Sequence, residues 1–145
     1  MGGNSLLELV VFGKIAGENA AKFENKNAKI EDAKAKEEKT LGEIFAQKNE
    51  IDFYGQRDIL GELFYKNVGI VRSEVELSEV YKTVQDIKAK LPLMGVGDKS
   101  KIYNTNLVEF LEFVNALEIC ELVVAGALER KESCGAHFRA DEECA

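Results

Sequence analysis

Tryptophan is absent from this chain of 145 residues, and proline and histidine each occur once. With the only proline at position 92, no long alternation of apolar and polar residues, and Glu, Lys, Ala and Leu in abundance, helices are favoured over strands. Basic charge is in short supply as well: 19 Lys and Arg stand against 26 Asp and Glu, a net charge of −7. A surface of that sign repels phosphate backbones and anionic lipid heads, which argues against nucleic-acid binding. No apolar run is long. Leu6 to Phe12 is broken by Glu8 and falls far short of the ~20 residues a membrane span needs, and no basic stretch precedes it as in a signal peptide. Cysteine is scarce and odd in number. Cys120, Cys134 and Cys144 read as free thiols of a reducing compartment, in a chain large enough to bury about 70% of its unfolded surface in one core.

Five helices are expected. The first opens at Ser5, where Ser-Leu-Leu-Glu forms a capping box with Glu8, and runs to Phe23. Its Gly13 and Gly17 lie one turn apart on one face, which suits close backbone approach to a neighbour. Residues 22 to 39 hold six lysines and five acids, a balance that suits a solvated helix, with a break at Asn25 to Asn27 and a stripe of Ile30, Ala33, Leu41, Ile44 and Phe45. A third helix starts after Asp52, turns Leu60, Leu63, Phe64 and Val68 inward, and stops at Gly69 in a left-handed conformation. Ser73 and Glu76 repeat the capping box and open the fourth. There Leu77, Val80, Val84, Ile87 and Leu91 recur at intervals of three and four, a seam for partner helices, until Pro92 ends it and Gly95, Gly97 and Asp98 turn the chain. The fifth, Asn106 to Arg130, carries apolar residues around nearly its whole circumference, which predicts burial on several sides. The architecture expected is all-α. Helices three to five form a three-helix antiparallel bundle like that of a spectrin repeat, helix two extends one side of it, and helix one is attached outside.

Two segments at the ends of the chain carry a resemblance. Met1-Gly2-Gly3-Asn4-Ser5-Leu6-Leu7-Glu8-Leu9-Val10-Val11-Phe12-Gly13-Lys14-Ile15-Ala16-Gly17 resembles the end of the flavin-binding domain in flavoprotein subunits of succinate dehydrogenase and fumarate reductase. Arg130-Lys131-Glu132-Ser133-Cys134-Gly135-Ala136-His137-Phe138-Arg139-Ala140-Asp141 is similar to the same family's Arg-x-Glu-Ser-Arg-Gly-Ala-His-x-Arg-x-Asp motif. Between them, Asn67-Val68-Gly69-Ile70-Val71-Arg72 is similar to the helix end that precedes a further helix. The matches are collinear. Cys134 departs from the pattern by standing where the family has arginine, which removes a fixed charge and five donors.

The resemblance implies that residues 1–25 are the terminal helix of an FAD-binding domain, 26–133 the C-terminal helical bundle domain and 134–145 a truncated tail. It also implies a parent subunit that interconverts succinate and fumarate with FAD and passes electrons through an iron–sulfur subunit to or from quinone, peripheral on the cytoplasmic face of the bacterial inner membrane. The substrate-binding arginine and the dinucleotide fingerprint have no counterpart here, so the chain is expected to be a fragment: structural, inactive and without FAD. No residue is expected to be catalytic. Asn4, Ser5 and Leu6 are placed by the resemblance against the flavin's pyrimidine edge. The flavin-binding domain of the same subunit and the iron–sulfur subunit are the partners implied, and the uncovered first helix would make the fragment self-associate. No metal site is expected, because His137, with Cys134 three residues before it and Cys144 seven after, lacks a fourth ligand and paired spacing. The alternative function is a stand-alone helical adaptor whose seam binds partner helices.

Overall fold

The computed structural model describes residues 4–23 and 30–141. The first three residues, the break expected at Asn25 to Asn27 and Cys144 lie outside the described residues. Five helices follow one another: α1 (Asn4–Lys22), α2 (Ile30–Ala46), α3 (Phe53–Asn67), α4 (Glu74–Lys90) and α5 (Thr105–Glu129). Two short strands, β1 (Val71–Arg72) and β2 (Phe138–Arg139), pair in parallel. The chain divides into two compact units, 1–37 and 38–145, with the division inside α2.

In the first unit α1 is a single helix whose apolar side chains, from Leu6 through Phe12 to Ile15, are exposed. It begins at Asn4, so Ser5 sits inside the helix and not at its cap.

In the second unit, α3, α4 and α5 pack together. Tyr54 at the start of α3 reaches Asn106 and Glu109 at the start of α5, whereas Glu74 at the start of α4 meets the residues that follow the end of α5. The bundle therefore runs up, down, up, with α4 antiparallel to both neighbours. The seam expected on α4 is the centre of the core: Leu77, Val80, Val84 and Ile87 are buried against Phe53 and Leu60 of α3 and Phe110, Phe113, Leu117 and Val124 of α5. Ile44 joins them from α2. Local chemistry marks the helix ends. Asp52 caps α3 by accepting from the Tyr54 and Gly55 N–H groups, Ser73 caps α4 through the Glu76 N–H, and Asn104 caps α5 through the Leu107 N–H. Pro92 lies in a 3₁₀ turn, Leu91–Leu93, directly after α4. The Leu93 carbonyl accepts from the Glu50 and Ile51 N–H groups, and Gly95 lies so close to Gln47 that a Cβ there would sit 3.2 Å from its carbonyl oxygen.

Two further expectations give way. Gly69 does not take a left-handed conformation. α3 ends instead under Arg72, whose Nε donates to the Gly69 carbonyl (2.7 Å) and whose Nη2 donates to the Val68 carbonyl (3.1 Å), while the chain runs straight into β1. A guanidinium fork can satisfy carbonyls that a glycine turn otherwise handles. On α5, the face of Ile119, Leu122 and Val123 is exposed, so burial is one-sided where the composition suggested several sides.

Candidate functional site

At the end of the bundle where α5 finishes, the residues of the C-terminal motif close on the start of α4. Backbone pairing sets the frame: the Phe138 N–H donates to the Ile70 carbonyl and the Ala140 N–H to the Arg72 carbonyl, both at 2.9 Å. Before the strand, Cys134 and His137 exchange two backbone hydrogen bonds across a two-residue turn in which Gly135 has φ +58°. Glycine occupies that position without strain, which any side chain would suffer.

Arg139 is the hub. It is 2% exposed, and its fork donates to both oxygens of Asp141 (2.9 and 3.0 Å) and to Glu74 Oε2 (2.8 Å). Its Nη1 also donates to the carbonyls of Ala127 and Arg130, the last turn of α5 and the residue after it. One guanidinium thereby joins the start of α4, the end of α5 and the tail. Lys131 adds a second cation on Glu74 at 2.6 Å. These partners hold the Asp141 carboxyl well below the usual carboxylate range, through Arg139 first, and keep the Arg139 guanidinium charged. The Glu74 carboxyl is lowered too, by Lys131 and then Arg139.

His137 lies beside this hub, buried, with both ring nitrogens engaged. Arg72 Nη1 stands 2.8 Å from Nδ1 and the Arg130 carbonyl 3.0 Å from Nε2. Arginine only donates, so Nδ1 accepts and the ring proton sits on Nε2, aimed at the carbonyl. A histidine so bound has no free nitrogen for a metal or a proton transfer. The segment from Glu132 to Asp141 is thus a folded staple rather than a frayed terminus. Arg72 and Glu74 were not singled out in the sequence as its partners, since nothing local to residues 72–74 announces a contact more than sixty residues away. Cys134, where the resemblance has arginine, is exposed at the turn, and Cys120 is half-buried on α5 with its thiol pushed up by burial.

The three residues expected to face a flavin open α1: Asn4, Ser5 and Leu6 are its first three residues. Their backbone N–H groups have no acceptor inside the helix, and the first turn carries no acidic side chain. Nothing in that turn offsets the positive end of the helix dipole, so it suits an electron-rich group.

Residues 57–143, which run from within α3 through α4 and α5 to the staple, match the family described as fumarate reductase flavoprotein C-term. The chain belongs to that family. Among its relatives, the fumarate reductase flavoprotein subunit of Proteus vulgaris is 34% identical over 149 residues, covering 99% of this chain and 25% of its own length. The succinate dehydrogenase flavoprotein subunit of Bacillus subtilis is 29% identical, covering 97% of this chain and 26% of its own. Among solved structures, a variant FrdA chain of Escherichia coli quinol fumarate reductase superposes with a TM-score of 0.87 at 31% identity, over 97% of this chain and 25% of that one. The chain spans about a quarter of the length of the curated relatives it matches. It corresponds to the helical C-terminal domain of a succinate dehydrogenase or fumarate reductase flavoprotein subunit, as the end motifs imply.

Proposed function

We propose that the chain serves as the C-terminal helical region of a flavoprotein subunit that interconverts succinate and fumarate with FAD and exchanges electrons with quinone through an iron–sulfur subunit. The observation that carries this is family membership across residues 57–143. By itself the chain is structural and catalytically silent. It braces the flavin-binding domain of the same subunit, contacts the iron–sulfur subunit, and holds no FAD of its own. Residues 1–25 serve as the last helix of that flavin-binding domain, 26–133 as the bundle domain, and 134–145 as its tail. Attachment to the cytoplasmic face of a bacterial inner membrane is peripheral and comes from the assembled complex; no helix among the described residues is long and apolar enough to cross a membrane.

FAD, when bound, supplies the hydride acceptor and donor. The contribution of this chain is the open turn of α1: the N–H groups of Ser5 and Leu6, with Asn4 ahead of them, donate to the flavin edge that gains negative charge on reduction. The rest of the α1 apolar face, Leu6 to Ile15, packs on the flavin domain, and in its absence the chain self-associates there.

The test expresses the chain alone and together with the flavin-binding domain of the subunit. Alone it is expected to be folded, helical and colourless and to reduce no fumarate with a viologen donor. With the flavin domain, turnover appears. A flavin spectrum or turnover from the chain alone refutes the structural reading.

A further inference from the structure

We draw no further inference here: the strongest candidate, the exposed apolar face of α5 at Ile119, Leu122 and Val123, carries none because nothing in the structure shows what covers it.

Discussion

α1 and α4 are of nearly equal length, 19 and 17 residues, and both are rich in apolar side chains, yet they end in opposite environments. On α4 the apolar positions come at intervals of three and four, and Leu77, Val80 and Val84 are wholly buried. On α1 they come nearly side by side from Leu6 to Phe12 and stay exposed, Leu9 at 69%. A narrow, regular seam is the mark of a helix whose partners lie in the same bundle. A broad apolar band with two interior glycines is the mark of a helix that needs a cover wider than one neighbour. Apolar content says that a helix wants burial; its spacing says what kind of surface it wants.

The sharpest way to break this contrast is to shave both helices. Leu77→Ala is expected to cost about 2–5 kcal/mol in urea unfolding, the range for a buried leucine, while Leu9→Ala, measured dilute enough that chains do not associate through α1, should change stability by less than about 0.5 kcal/mol, as exposed sites do. Equal losses would mean that α1 is packed as tightly as α4. Next in size is the staple. Arg139→Met removes the five hydrogen bonds of the buried fork, although Glu74 keeps Lys131 and the Arg130 carbonyl keeps His137, and should cost about 2–3 kcal/mol, with Arg139→Lys only partly restoring it because an ammonium cannot reproduce the fork.

The role proposed for α1 is sharpened by redox titration in the intact subunit. Leu6→Pro deletes one N–H in the first turn, and loss of a hydrogen bond to a developing charge, about 1.5–3 kcal/mol, corresponds to a midpoint roughly 30–65 mV lower for a two-electron couple. Ser5→Ala keeps every backbone donor and should leave the potential in place. An unchanged potential for Leu6→Pro with flavin fully bound would reduce α1 to a packing element. The smallest effect is expected from acid. Asp141 and Glu74 have folded pKa values below their unfolded ones, so their stabilisation is complete above the ordinary carboxylate pKa of about 4 and fades as pH falls through the folded values. Asp141→Asn should flatten the fall in stability below that point in an acid series of urea melts, and an unaltered slope would exclude Asp141 as its source.

What the amino-acid order reveals is set by range. The α4 seam, the Ser73 cap, Pro92 and Asp52 all act within one or two turns, and each behaves as its local chemistry dictates. Gly69 misled because its conformation depends on Arg72 and on a strand partner near residue 138. α5 misled differently: apolar residues all around a helix state a demand for burial but not whether this chain meets it, and the Ile119–Leu122–Val123 face goes unmet here. For the candidate site, the C-terminal motif marked the segment around His137, and the N-terminal one singled out Asn4, Ser5 and Leu6, whose contact with flavin is a proposal. The hub role of Arg139 was hidden because its acceptors come from three separate elements. Nothing at Tyr103 announces a left-handed tyrosine, since neither neighbour is a glycine or proline.

The parallel pairing of β1 with β2 does more than anchor a tail. By joining Val71 to Phe138 and Arg72 to Arg139, it closes α4, the loop and α5 into a ring whose clasp is two residues wide on each side. Segments inside such a ring can fray but cannot separate unless the clasp opens. The amide protons of Phe138 and Ala140, although near the end of the described chain, should then exchange with solvent at the slow rate of the whole ring opening, where terminal position alone would predict the fastest exchange in the domain.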